Sequence, residues 1–151
     1  MTDNCAIWAA VLSARPPHIR TMYEYLLTVD GDEARARAQA ETIADQPESA
    51  ANIHTTILHV FTENDETSVQ EITAATLARD ILTDAGIAVD LDETVGDPTT
   101  AILEKAEQVD ANRICVSGKK RTPTGKVIFG SVTQGIILST QRPVLVCSAD
   151  D

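Results

Sequence analysis

The sequence predicts an α/β domain built on one five-stranded parallel sheet in the order 3-2-1-4-5, with helices on both faces. Three observations carry this. From Tyr23 onward, short β-branched runs alternate with amphipathic stretches. The run expected at the sheet centre is too apolar to alternate. Helix start and stop residues fall between the runs.

The elements follow in order. Tyr23–Val29 reads as the first strand, and Glu33 to Asp45 as a helix with Ala36, Ala40, Ile43 and Ala44 on one face and Arg35, Arg37 and Glu41 elsewhere. Asp32 and Glu33 suit its positive end, and Pro47 follows its close. Ile53–Phe61 is the second strand. The next helix starts near Thr67, carries Ala74, Leu77, Ala78, Ile81 and Ala85 on one side, and stops at Gly86. Ile87–Thr94 alternates as a sheet-edge strand does. Asp97 caps a third helix with Pro98 at its first position, and Ile102, Ala106 and Val109 mark its buried face. Arg113–Ser117 is the central strand, Ser131–Thr140 the last helix, and Val144–Cys147 the last strand.

Residues 23–151 thus form one domain, and 1–22 stand apart as an N-terminal extension. An apolar patch around Trp8 and then Arg15-Pro16-Pro17-His18 leave three readings of it: a disordered tail, a start chosen upstream of Met22, or a small module. The apolar segment Cys5–Leu12 follows Asp3 rather than a basic patch, unlike a signal peptide, and is short of a membrane span. Cys5, Cys115 and Cys147 lack CxxC spacing, so neither a disulfide framework nor a zinc site follows, and a reducing cytoplasm is expected.

The net charge of −11 argues against nucleic acid or an anionic membrane as partner, and suits a halophilic, salt-rich cell. The charge is unevenly spread. Ala111 to Ala149 holds no Asp or Glu, yet carries Arg113, Lys119, Lys120, Arg121, Lys126 and Arg142, half of the 12 basic residues. Either the stretch serves an anion, or part of it is buried core. Burial would explain Val127–Ile128 and Val144–Val146 but not Lys119-Lys120-Arg121.

Ligands of open α/β sheets sit beyond the carboxyl ends of the strands, where strand order reverses. Here that crevice lies between strands one and four. Strand one ends Thr28-Val29-Asp30-Gly31, and strand four runs from Ser117 and Gly118 into the basic loop. The loop's glycines admit a bulky anion, and Gly130-Ser131 opens a helix whose free N–H groups favour phosphate. Ser131 either donates to phosphate or caps the helix, having capping-box spacing to Gln134. Asp30 either meets a ribose hydroxyl or Mg²⁺, or is a turn residue before Gly31. Gly125-Lys126 is not a Walker A motif, since six residues separate Gly118 from Gly125 and Val127 follows the lysine. His54 and His59 face opposite sides of one strand and form no joint metal site.

The ordered set Thr28-Val29-Asp30, Ile57-Leu58-His59-Val60, Val95-Gly96-Asp97-Pro98, Phe129-Gly130-Ser131-Val132-Thr133 and Arg142-Pro143-Val144-Leu145-Val146 resembles the universal stress protein family, over Tyr23 to Ser148. The resemblance implies a homodimer through Val144–Cys147 and an ATP site, with or without Mg²⁺. In it Thr28, Val29 and Asp30 belong to the nucleotide site, Asp30 facing the ribose or phosphate region. Val60 meets adenine through its backbone, and Gly130, Ser131, Val132 and Thr133 hold phosphates. The family's motif reads Gly, two residues, Gly, nine residues, Gly, then Ser or Thr. In this chain its first two glycine positions are Ser117 and Lys120, with Gly118 one place late. The implied function is a nucleotide-binding stress sensor. The alternative is a nucleotide-free dimer acting by protein contacts, and a slow ATP hydrolase ranks last, with Asp30 the only candidate for activating water.

Overall fold

A computed structural model describes residues 22–118, 120–121 and 127–148. The extension up to residue 21, Lys119 and Lys126 lie outside the described residues, as do the side chains of Lys120, Arg121 and Val127. The chain runs β1 (Tyr23–Thr28), α1 (Glu33–Ala44), β2 (Ile53–Phe61), α2 (Thr73–Asp84), β3 (Ala88–Val95), α3 (Pro98–Gln108) and β4 (Arg113–Gly118). It continues through β5 (Lys120–Arg121), β6 (Val127–Ile128), α4 (Ser131–Ser139) and β7 (Val144–Ser148), with short 3₁₀ turns at Ala50–Asn52 and Val69–Glu71.

The main sheet is five-stranded and parallel, in the order β3-β2-β1-β4-β7, which is the predicted 3-2-1-4-5 in the sheet's own numbering. Alternation along each strand divides the core in two. On one face Tyr25, Leu27, Ile53 and Ile57 pack against Ala36, Ala40 and Ile43 of α1 and Ala74, Ala78 and Leu82 of α2. On the other, Leu26, Leu58, Ile114 and Val116 pack against Ile102 and Ala106 of α3 and Ile136 of α4. Ala-rich inward faces let α1 and α2 lie close to the strands, and each buried large aliphatic contributes roughly 1.5–3 kcal/mol.

Helix ends follow the capping chemistry. Asp32 accepts from Arg35 N at the start of α1, and Asp97 accepts from Thr100 N with Pro98 behind it at the start of α3. Gly86 follows α2 at φ 86°, the left-handed turn that glycine tolerates. At the amino end of the sheet, Arg113 reaches both the Tyr25 hydroxyl and Glu48, tying β4 to β1.

Four expectations need correction. The helix after β2 begins at Thr73 rather than near Thr67, because Ser68 and Glu71 close a capping box on a separate 3₁₀ turn. Its buried positions are Ala74, Ala75, Ala78 and Leu82, with Ile81 partly buried against the same core, so the face is rotated away from Leu77 and Ala85. The segment after β4 is not wholly loop: β5 and β6 pair antiparallel, Lys120 opposite Ile128 and Arg121 opposite Val127. Ile128 and Val146 are exposed, so burial does not account for them.

Cys115 and Cys147 are buried core residues, as expected, with sulfurs 3.5 Å apart. The contact with Cys115 holds Cys147 down to about 7, while the contact with Cys147 and burial push Cys115 up.

Candidate functional site

The site arises from where the sheet stops being continuous. β1 pairs with β2 through Thr28 and Leu58, and Val29 N still donates to Leu58 O at 3.0 Å. Toward β4, pairing ends at Leu27 and Cys115. β4 nevertheless stays paired with β7 through Gly118 and Ser148. The two central strands therefore part beyond Cys115, at the point where strand order reverses. Side chains fill the base of the split: Thr28 Oγ1 donates to Cys115 O (3.3 Å), and buried Gln39 donates to Thr28 O (2.8 Å) and Cys115 O (3.3 Å).

Above this floor lies a cleft of about 390 Å³, within the range of small-ligand sites. Thr28, Val29 and Asp30 line it from the end of β1, and Leu58, His59 and Val60 from the end of β2. Val116 and Ser117 of β4, Pro98 and Ile102 of α3, and Arg35 of α1 complete the walls, with Gly130, Ser131, Val132 and Thr133 at the start of α4. Nine residues singled out from sequence thus meet at one cleft. Gly118 does not line it, being buried in β4 opposite Ser148. Lys120 stands in β5, and its side chain is outside the described residues.

The start of α4 is open to a ligand. Its first intrahelical bond runs from Gln134 N to Gly130 O, so the N–H groups of Ser131, Val132 and Thr133 precede the helical ladder. Gly130 is the cap residue, with no side-chain cap bond. The capping-box reading of Ser131 is therefore corrected: Gln134 turns to Phe129 O at 3.3 Å, and the Ser131 hydroxyl caps nothing. Thr133 donates to Ser117 O at 3.0 Å and pins the helix start to β4.

Asp30 plays the turn role. Its Oδ1 accepts from Asp32 N at 3.0 Å, before Gly31 at φ 113°, and its Oδ2 pairs with Arg35 Nη1 at 2.7 Å. The charge facing this carboxylate is thus a guanidinium. No group of three potential metal-ligating side chains occurs among the described residues, and Asp30 is the one carboxylate of the described lining. His59 Nδ1 lies 2.9 Å from Val29 O, which only accepts, so Nδ1 carries the proton and Nε2 is the acceptor of the neutral ring.

Arg35, Leu58, His59, Pro98, Ile102 and Val116 escaped the sequence reading. His59 was findable as the neighbour of Val60 at a strand's carboxyl end. Arg35 was assigned to a solvent face, and only its place one turn after Asp30 hinted at the cleft.

Among the described residues no helix is long and apolar enough to cross a membrane. A universal stress protein of Mycolicibacterium smegmatis is 34% identical over 65 residues, 42% of this chain and 50% of that protein. The chain thus spans about half the length of that curated relative. The structure of a universal stress protein from Archaeoglobus fulgidus superposes with a TM-score of 0.67 at 27% identity, covering 82% of this chain and 97% of that one. Another from the same organism, in complex with dAMP, superposes with a TM-score of 0.64 at 22% identity over 85% and 98%. The sequence profile of the universal stress protein family matches residues 10–148, nearly the whole chain, and this chain belongs to that family.

Proposed function

We propose that the cleft binds an adenine nucleotide, ATP being the fullest ligand, and that occupancy is what this stress protein senses. The carrying observation is the parting of β1 and β4 directly beside the unpaired N–H groups at the start of α4. Phosphates sit against Ser131, Val132 and Thr133, where amide donors and helix dipole favour anions. The ribose lies toward Asp30, and the base toward the Val60 backbone and the apolar walls of Leu58, Ile102 and Val116. Ser117 of β4 lies on the phosphate side, and Gly118 and Lys120 continue the chain beyond it. The A. fulgidus relative that carries dAMP has the same fold, which supports the reading. Buried thiols and an acidic composition fit a reducing, salt-rich cytoplasm.

Native mass spectrometry of the purified chain, followed by calorimetric titration with AMP and Mg·ATP, tests the proposal. Binding is expected in the wild type. Gly130→Leu, which puts bulk in the cleft wall, is expected to abolish it, and Cys115→Ser to leave it intact. Wild-type protein that binds neither nucleotide sinks the proposal.

A second reading has its own support. β7 is the last strand of the five-stranded sheet among the described residues, and Val146, Ile137 and the 84% exposed Leu138 leave apolar surface on the last two elements. A homodimer across β7 would cover them. Such a dimer serves a nucleotide-free adaptor as well as a sensor.

A further inference from the structure

We propose that Arg35 is the side chain that selects anionic ligands over neutral ones in this cleft. The inference rests on the adenine-nucleotide reading of the site and adds a specificity determinant to it.

The molecule as a whole repels anions, at net charge −11. The cleft itself contains a carboxylate, Asp30, that opposes a phosphate nearby. Amide dipoles at one helix start must overcome that field, so a cation in the wall is needed. Arg35 is the only lysine or arginine lining the cleft among the described residues.

Its geometry suits recognition rather than simple charge cancellation. A guanidinium presents five N–H donors in a planar fork. Nη1 meets Asp30 Oδ2 at 2.7 Å, the one side-chain hydrogen bond Arg35 makes among the described residues. Asp30 is itself braced, since its Oδ1 holds Asp32 N at 3.0 Å. The backbone of Arg35 is fixed as well, because its N–H donates to the capping Asp32 at 2.9 Å. One edge of the fork is thereby anchored, and the remaining donors are left for a ligand. Only part of the side chain is exposed, so a bond to phosphate forms in a partly desolvated site, where charge-assisted pairs are strongest. Because Asp30 lies on the ribose side, discrimination should appear with a single phosphate.

Titration of the full chain with adenosine and AMP at one ionic strength tests this. Wild type is expected to hold AMP at least about tenfold more tightly than adenosine. Arg35→Ala should weaken AMP by roughly tenfold or more and leave adenosine within about twofold. Arg35→Gln, which keeps most of the stem, should behave alike and guards against a folding defect. Arg35→Ala combined with Asp30→Asn should stay as weak for AMP. Recovery of AMP affinity in that double variant would overturn the inference, because Arg35 would then only cancel a charge. Equal losses for adenosine and AMP would also overturn it, marking Arg35 as a brace of the cleft. Wild type that binds both ligands equally removes the Arg35 assignment alone, whereas wild type that binds neither removes the nucleotide reading with it.

Discussion

Gln39 carries more than a residue on a helix is expected to. It is 1% exposed, and its amide nitrogen donates to Thr28 O and Cys115 O, where the β1–β4 ladder ends. Gln39→Leu should cost about 1–3 kcal/mol by removing a buried donor from Thr28 O and from Cys115 O, the latter keeping only the Thr28 hydroxyl. Gln39→Glu should cost more at neutral pH, since a carboxylate there can only accept; urea unfolding reads both, and equal stability of all three proteins would refute the role. His54 gives a second expectation. It lies between Glu24 (2.5 Å) and Asp90 (2.9 Å). Burial pushes its pKa down, but the two carboxylates outweigh burial and lift it above the ordinary 6.5. A folded-state pKa above the unfolded one gives stability that is complete below about pH 6.5 and lost as pH rises through the raised value. Wild-type stability should therefore fall from about pH 6.5 upward, and His54→Gln should flatten that slope. Matching slopes would show the imidazole to be uncharged.

Between elements, Gly135 brings α4 close against Thr99 of α3. A Cβ built on Gly135 would sit 3.0 Å from Thr99 Cγ2 and 3.1 Å from its Oγ1. Gly135→Leu should destabilise by roughly 1–3 kcal/mol through overpacking, more than offsetting the ~1 kcal/mol gained by removing a helix glycine. A Thr99→Ala background should shrink the loss, and additive losses in urea melts would deny the contact. Strands were the most legible elements, because β-branched runs and apolar content mark them locally, and Ile53–Phe61 matches residue for residue. The face of α2 was legible only in part, Ala74, Ala78 and Ile81 facing the core as expected. Alanines recur at Ala74, Ala75 and Ala78, and small residues fit either side of a helix, so packing against α1 and β3 sets the rotation. The cleft could be located from sequence because strand ends and helix starts are local signals. Gln39 could not be assigned, because only the folded sheet brings Cys115 O near it, and Arg35 had only its sequence neighbour Asp30 to mark it.

At the scale of the whole molecule, the proposed homodimer would cover exposed Leu138 and Val146 beside the last strand. Light scattering should find a dimer, and Leu138→Glu with Val146→Lys should give a folded monomer; an unchanged mass would move the contact elsewhere. The sheet's register has a last consequence. Eight pairs join β2 to β3 and six join β1 to β2, but three join β1 to β4. The shortest seam is the one that gapes into the recess. Zipping it up by a few more rungs would make a sturdier protein and fill the vacancy with its own backbone. Robustness and occupancy compete here for the same amides, so hardening this fold by design must begin at some other seam.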